Sequence, residues 1–535
     1  MDAGVAVPEV PAGAVDPDRP RPHRRLRTIG VAVAGLQALG LLMVSAHLYA
    51  HFDLTTDFAI FNQAWTLIAH GHLDPYSTLN PYNYPHYGYP FWSDHFELIM
   101  WPMALLWFLY PHSIDLLVVQ DLATAGCTLV AYLFVVDIVA DQQARTRRLD
   151  HAVVGTWKPG DLAAVGALVV LVVNPWVYWA ATFDFHLEAV ATLFLLLAAR
   201  DLWTGRRRRA IWWIVGVLLC GNVAATYLAG LGIGLVIARR DLRWTGAGLV
   251  GLGIAWSLGV TAVGGGVGTI IGGNYGYLAG PNAGPDPSIV AIGTGALLHP
   301  TRPWRMIQGR WLWTYRMLAS SGLVGVVSGL GFGIAAVVLG ANTLNAAAVF
   351  SGPISSFQAL PVYFFVLVGS VAVLLWLYRS SRAVVRWTVL AVAAAILVQA
   401  LVLSAVWVPR ARTEFFVVGG AAASRLATVQ AGIPAGAEVI ASQGVVGRFA
   451  NRVSIYPFLD LGDGGQTIPV DASTVVFVLT TSGIEYATPT GTRAAVDYLV
   501  HHGAHLVSRG AGVYELVWHP TPGTRWLIIP PASAS

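Results

Sequence analysis

Charge is what this sequence has least of. Only 11% of its 535 residues are Asp, Glu, Lys or Arg, against roughly 25% in an ordinary soluble domain. Hydrophobic residues make up 56%, and the mean hydropathy is +0.61. A soluble globule is thereby excluded. Cysteine is nearly absent: Cys127 and Cys220 both lie inside apolar stretches, so no disulfide framework is implied. Thirty-two Lys and Arg against 28 Asp and Glu leave a formal charge of +4, too small for a nucleic-acid partner in a chain this long. No Walker A, GxSxG, HExxH or CxxC pattern occurs, which removes the usual support for ATP-driven transport, triad hydrolysis and zincin chemistry.

What is present is a series of long charge-free runs: 28–52, 162–183, 210–238, 244–285, 317–378 and 387–409. Each reaches the roughly 20 residues a membrane helix needs. The sequence therefore predicts a polytopic α-helical membrane protein. Between the runs stand arginine clusters at 19–27, 145–148, 206–209, 239–243 and 379–386, which are expected on the cytoplasmic side because short positive loops resist translocation. That fixes the parity of crossings. The 29 uncharged residues between Arg209 and Arg239 must leave and return to one side, so they read as a short hairpin broken at Gly221-Asn222. The glycine-rich stretch 317–341 reads as a second broken pair, since irregular backbone survives at membrane depth only where protein or a cavity surrounds it. The sum is about eleven crossings, with 96–110 as an extra, partly embedded element broken by Pro102. The N-terminus (1–27, cytoplasmic and disordered) would lie inside, the membrane domain would span 28–409, and 410–535 would form an extracytoplasmic domain.

After Pro409 charges, glycine and proline return. Glu438–Ser442, Arg452–Phe458 and Thr474–Thr481 read as strands, Thr492–Gly503 as a helix, and His505–Trp518 as a hairpin around Arg509-Gly510. A small α/β domain follows from that alternation.

Three outward stretches collect the polar residues the rest of the chain avoids. The first outer loop, 51–97, carries Asp53, Asp57, Asn62, Gln63 and Trp65, and ends in Asp94, His95 and Glu97. A carboxylate at the top of a span is costly unless solvated or used. Asp57 stands out, because Phe58, Ile60, Phe61 and Trp65 form an apolar face that predicts a short helix on the membrane surface with the acid near its N-terminus. The Tyr- and Pro-rich segment 74–92 suits either sugar stacking or the membrane interface. The second stretch, Asp184-Phe-His186-Leu-Glu188, brings three ionisable groups to the end of a span. The third, within an outer loop over 266–316, holds Tyr275, Tyr277, Arg302 and Arg305, the arginines lying against the positive-inside tendency and so suited to a lipid phosphate or to plain interfacial anchoring. The oxygen and nitrogen donors Asp57, Asp94, His95, His186 and Glu188 are of a type Mg²⁺ or Mn²⁺ accepts, but no ligand spacing is fixed. A hydrogen-bonded acid–histidine cluster is the preferred reading.

In their order, Thr56-Asp57-Phe-Ala-Ile-Phe-Asn-Gln63 with Trp65, Ser93-Asp94-His95-Phe96, Phe185-His186-Leu-Glu188-Ala and Asn274-Tyr-Gly-Tyr-Leu-Ala-Gly280 resemble an uncharacterised family of bacterial predicted membrane proteins, itself similar to the GT-C-fold glycosyltransferases. The resemblance implies a GT-C-like fold in the bacterial plasma membrane and transfer of a sugar from a polyprenyl-phosphate donor to a glycolipid or polysaccharide acceptor of the cell envelope. It implies Asp57 as the catalytic base; Gln63, Trp65, Asp94, His95, His186, Glu188, Tyr275 and Tyr277 are this reading's candidates around the substrates, and Arg302 or Arg305, on positional grounds only, are candidates for the departing phosphate. Gly221-Asn222-Val223 and Ser356-Phe357 stand where the resemblance implies acidic residues and a His-Tyr pair. A non-catalytic protein that binds or translocates a lipid-linked saccharide is the alternative, and an ion-coupled transporter a third.

Overall fold

The computed structural model describes residues 24–79, 88–146, 149, 156–264, 267–284, 287–347, 356–459, 465–483 and 488–530. The structure is mostly helical, and six helices among these residues are long and apolar enough to cross a membrane. They start at α1 (Arg24–His51), which leads directly into the 14-residue α2 (Thr56–Ala69). Next come α3 (Ile114–Arg145) and the pair α4 (Pro159–Val173) and α5 (Pro175–Thr182). Asn174-Pro175 breaks that pair, the asparagine side chain accepting the Trp176 N–H at 3.0 Å; a residue before proline is pushed out of the helical region. Then follow α6 (Glu188–Trp203), α7 (Arg207–Leu219), α8 (Asn222–Ala238) and α9 (Arg243–Gly264). After these come the amphipathic α10 (Thr301–Ala319), α11 (Leu360–Tyr378) and α12 (Ala383–Phe415).

Helices α3 and α11 are mostly buried and form the centre of the bundle, whereas α1, α9 and α12 are mostly exposed at its rim. The sequence's two predicted breaks both occur. Gly221 takes φ +118° between α7 and α8, a conformation an L side chain resists. The glycine-rich stretch becomes a 3₁₀ turn (Leu323–Val327), a helix (Gly329–Ile334), a wide turn (Ala335–Leu339) and a last helical turn (Gly340–Leu344). Its glycines let backbones touch: a Cβ on Gly333 would lie 2.3 Å from the Gly230 carbonyl oxygen, and one on Gly232 2.5 Å from that of Gly246. Small residues at helix crossings serve packing in a lipid environment, where lipid tails are as apolar as leucine.

Two boundaries differ from expectation. Helix α12 runs through Pro409 to Phe415, so the compositional change at Pro409 falls inside a helix. The element 96–110 is a helical turn (Met100–Met103) followed by a 3₁₀ turn (Ala104–Phe108), with Pro102 inside the first.

The C-terminal region begins with α13 (Gly420–Gly432), which sequence reading missed, and continues with β1 (Glu438–Ser442), β2 (Ile455–Phe458), β3 (Gln466–Pro469), β4 (Val475–Thr480), α14 (Pro489–His501), β5 (His505–Gly510), β6 (Val513–Trp518) and β7 (Trp526–Ile529). The main sheet has the order β2-β1-β4-β6-β5. Its first three strands are parallel and the rest antiparallel, while β3 and β7 form a separate antiparallel pair. The hairpin turns at Ala511-Gly512, both with positive φ, not at Arg509-Gly510.

Because side chains alternate across a strand, the sheet serves two cores. Val439, Ala441, Val476 and Val478 join one continuous apolar core with the membrane helices. Ile440, Phe477, Leu479 and Leu516 pack with Val496 and Leu499 of α14 in a second. The sheet is therefore seated on the end of the bundle. At the joint the Gly447 N–H donates to the Leu54 carbonyl at 3.0 Å, Asn62 donates to the Gly447 carbonyl at 3.0 Å, and the Arg448 guanidinium lies 4.0 Å from the Phe52 ring centroid.

Candidate functional site: an acid–histidine cluster beneath the sheet

The site is built on the first turn of α2. Thr55 is its N-cap, in extended backbone, and its hydroxyl accepts the Asp57 N–H at 3.5 Å. The stronger cap comes from 129 residues away. Asp184 accepts the Thr55 N–H at 2.9 Å, the Phe58 N–H at 3.3 Å and the Thr55 hydroxyl. A carboxylate there satisfies amides that have no partner within the helix and meets the positive end of its dipole. Asp184 has φ +43°, a strained value for a residue with a side chain. Gln120 of α3 holds that turn: its amide donates to the carbonyls of Asp184 (2.7 Å) and Ala181 (3.2 Å) and accepts the His186 N–H at 2.5 Å. Burial pushes the Asp184 carboxyl up to about 6, the nearby Asp57 charge adding to the effect and the Thr55 bonds opposing it.

The same turn delivers His186 to Asp57. Its Nε2 lies 3.5 Å from Asp57 Oδ2, and the side chains are 8% and 39% exposed. Nδ1 lies 3.1 Å from the Phe183 carbonyl oxygen, and the ring stacks on Phe357 at 3.6 Å. Burial pulls the imidazole pKa down, but the Asp57 hydrogen bond and the charges of Asp57, Glu188 and Asp184 outweigh it, so it stands above 6.5. An imidazolium fits the geometry, since it can donate to both the Phe183 carbonyl and Asp57. Glu188, in the first turn of α6, lies within electrostatic reach of His186, Glu97 and His95. Glu97 sits 3.5 Å from His95 and against the Gly221 break, where a Cβ would come within 2.9 Å of its side chain. The two positions that depart from the resemblance thus both border the cluster: Gly221 touches Glu97, and Phe357 covers His186. Among the described residues no Lys or Arg forms an ion pair with any acid of this cluster, and no three His, Cys, Asp or Glu side chains are placed to hold a metal ion.

The structure separates the remaining candidates. Gln63 is buried and spends its amide on structure, donating to Thr78 and the Val453 carbonyl and accepting the Thr78 N–H, each at 3.0 Å. Trp65 is buried with its indole N–H on the Met103 carbonyl at 3.1 Å. Helix α2 is buried on every side except at Asp57, so it is enclosed by protein and does not lie on a membrane surface. His95 is half-buried, with Phe61 at 5.1 Å and Phe91 at 5.4 Å. The Asp94 and Asn222 side chains, the segments 1–23 and 80–87, and residues 265–266 lie outside what is described. Tyr275 and Tyr277 donate to the carbonyls of Ala341 (3.2 Å) and Leu344 (3.0 Å), and Arg302 donates to the Leu278 carbonyl at 2.8 Å. Arg305 is exposed. Arg310 closes the end of Gly340–Leu344 by donating to the carbonyls of Asn342, Thr343 and Asn345. Asp53, read as a loop acid, accepts the Val417 and Val418 amides at 3.0 and 2.9 Å and fastens α12 to α2. Gln120, Asp184 as a cap, and the stacking of Phe357 on His186 were not foreseen; each acts across a chain separation no local pattern records.

Helices arranged around a buried acid–histidine cluster, closed at one end by a mixed sheet, define a polytopic membrane protein with that cluster at one end of its helix bundle. The sequence profile of the predicted membrane protein family DUF2079 matches residues 47–467, and the chain belongs to that family. The match starts four residues before the end of α1 and runs into β3, so it covers the whole cluster together with β1 and β2, while β4 to β7 follow it. No curated protein matches the chain.

Proposed function

We propose that the protein is a GT-C-like membrane glycosyltransferase that takes a sugar from a polyprenyl-phosphate donor and places it on a cell-envelope acceptor at the outer face, with the sheet domain outside, the N-terminus cytoplasmic and about eleven crossings. The six long helices and the shorter apolar helices at 223–238, 289–298 and 329–344 supply material for that count. The observation that carries the reading is Asp57: a partly exposed carboxylate, fixed on the first turn of a buried helix and backed by a buried histidine. In the reaction the acceptor oxygen bonds to the anomeric carbon, the bond from that carbon to the lipid phosphate breaks, and the hydroxyl proton passes to Asp57. A single displacement inverts the anomeric centre. His186 orients Asp57 and supports its charge, the ordinary task of a hydrogen-bonded neighbour to a general base. Glu188, Glu97 and His95 complete the acid–histidine cluster beside Asp57, and Arg302 and Arg305, on position in the sequence alone, are the cations proposed for the departing phosphate.

A second reading, a protein that binds or translocates the lipid-linked saccharide without consuming it, is favoured by the Phe357 ring stacked over His186. Mass spectrometry of lipids co-purified in nanodiscs separates the two. A polyprenyl-phosphate sugar that accumulates in Asp57→Asn and is depleted in the wild type supports transfer. Equal occupancy supports the second reading, and no such lipid in either protein overturns both.

A further inference from the structure

The opposite end of the bundle carries a second feature that the proposed transfer does not use. Where α1, α3, α6 and the start of α7 meet, Arg27, Arg200, Arg206 and Arg209 line a cleft of about 600 Å³ together with Val31 and Leu133. Two carboxylates serve these four guanidinium groups. Asp137 receives Arg200 Nε at 2.7 Å and Arg27 at 3.5 Å; Asp201 receives Arg209 Nε at 3.0 Å and Arg206 at 3.4 Å. Asp201 also accepts the Trp213 indole N–H at 2.9 Å. The cleft therefore keeps an excess of two positive charges. It also keeps unused donors. Arg200 is 13% exposed, and its hydrogen bonds among the described residues use only Nε, while the shielded Nε–H of Arg27 has no partner there.

Guanidinium forks matched to an absent anion are a phosphate-binding chemistry. The flanks indicate which kind of phosphate. Val31 on α1 and Ile211 and Trp212 on α7 are 57%, 58% and 74% exposed, and the α1 surface continues through exposed Leu36, Leu39 and Met43. The charged cleft thus opens sideways onto an apolar stripe at membrane depth. A free anion has no use for that stripe, but acyl chains do. A volume of 600 Å³ also leaves room for a glycerophosphate headgroup.

We propose that this cleft binds the phosphate headgroup of an anionic phospholipid from the leaflet at the arginine-rich end, with its acyl chains along α1. The site is independent of the acid–histidine cluster, and its failure would leave the proposed transfer untouched.

The test is native mass spectrometry of the full chain released from nanodiscs that mix phosphatidylglycerol and phosphatidylcholine. Wild type is expected to retain phosphatidylglycerol selectively. Arg27→Gln with Arg209→Gln, which leaves each aspartate one arginine, should lower retention about tenfold or more, since two guanidinium contacts to the phosphate are lost. Arg240→Gln with Arg243→Gln removes the same charge from exposed positions on the same face and, at about 0.15 M salt, which screens exposed charges away from the cleft, should stay within about twofold. Val31→Trp, which narrows the mouth at a lipid-exposed position without touching charge, should also lower retention and gives the answer if the double variant fails to fold. Equal losses in the two double variants, or no preference for phosphatidylglycerol in the wild type, overturn the proposal. Displacement of the lipid by millimolar inorganic phosphate would identify a free-phosphate site and overturn the lipid assignment.

Discussion

The two ends of the helix bundle differ in what most of their carboxylates meet, with Glu414 beside Arg410 at one end and Asp161 on the Lys158 amide at the other as exceptions. At the arginine-rich end Asp137, Asp141, Asp201 and Asp241 each meet at least one guanidinium. At the sheet end Asp57 and Glu97 meet histidines, and Asp53 and Asp184 meet backbone amides. A guanidinium does not release its proton in proteins, so ion pairs at the first end are fixed electrostatics. An imidazole exchanges its proton near neutrality, so the two acid–histidine contacts at the second end are of a kind a proton-transfer step can use. The proposed transfer draws on the sheet end and the proposed lipid site on the arginine-rich end.

The largest expected effect tests that division directly. Asp57→Asn should reduce sugar transfer in membranes by about 10³-fold, within the range for losing a general base, while Asp201→Asn should cost stability and leave the transfer rate per folded molecule within about twofold. Equal losses in transfer per folded molecule would erase the distinction between the ends.

The next effect concerns how the sheet end is assembled. A Cβ on Gly447 would lie 2.6 Å from the Leu54 Cβ and 2.8 Å from its carbonyl oxygen, and both neighbours belong to the short segment entering α2. Gly447→Val should therefore destabilise by about 2–3 kcal/mol, as overpacking does, and should expose the C-terminal region to limited proteolysis before the membrane helices. Simultaneous proteolysis of both would mean that the joint is not the weak point. A smaller change follows at the cap. Asp184→Ala removes the acceptor for the Thr55 and Phe58 amides and should lower stability by about 1–2 kcal/mol, whereas Asp184→Asn keeps an acceptor and should lose less. Thermal melts in detergent rank the two.

These residues also mark what sequence can and cannot carry. The charge-free runs, the break at Gly221 and the acid at the head of α2 were legible because each is local: a run length, a residue that tolerates positive φ, an apolar face formed by Phe58, Ile60, Phe61 and Trp65. The strands at 438–442 and 475–480 were legible for the same reason. Asp184 was visible as a polar residue but not as the cap of a helix 129 positions earlier, and Gln120 sat unnoticed in an apolar span. Gln63 and Trp65 drew attention as polar and aromatic groups beside Asp57, yet their hydrogen bonds go to Thr78, Val453 and Met103. Whether a polar side chain serves a substrate or its own fold depends on partners brought in by tertiary contact. Helix α12 passing Pro409 shows the same limit, because a helix of a membrane protein can continue through a proline that would end one in a soluble domain.

The smallest effect sharpens the comparison within the sheet domain. Glu438 is fully buried, accepts the Asp471 and Ala472 amides at 2.7 and 3.2 Å through one oxygen, and has no partner for the other among the described residues. Burial pushes its carboxyl up to about 7, the Asp471 charge adding to that and the two amide bonds opposing it. The folded state therefore holds a proton that the unfolded chain has lost above about pH 4.3. Stability from this group is fully present at low pH, declines as pH rises toward 7 and is gone above it. Between pH 6 and 8 the decline should be about 1 kcal/mol, and Glu438→Gln, which keeps an acceptor for the amides and cannot ionise, should flatten it. Asp137→Asn at the arginine-rich end should leave the slope as it is, because it leaves Glu438 and its two amide partners untouched. A melt series in which both variants keep the wild-type slope would place the pH response in neither group and would move attention to Asp53, whose carboxyl burial raises to about 6.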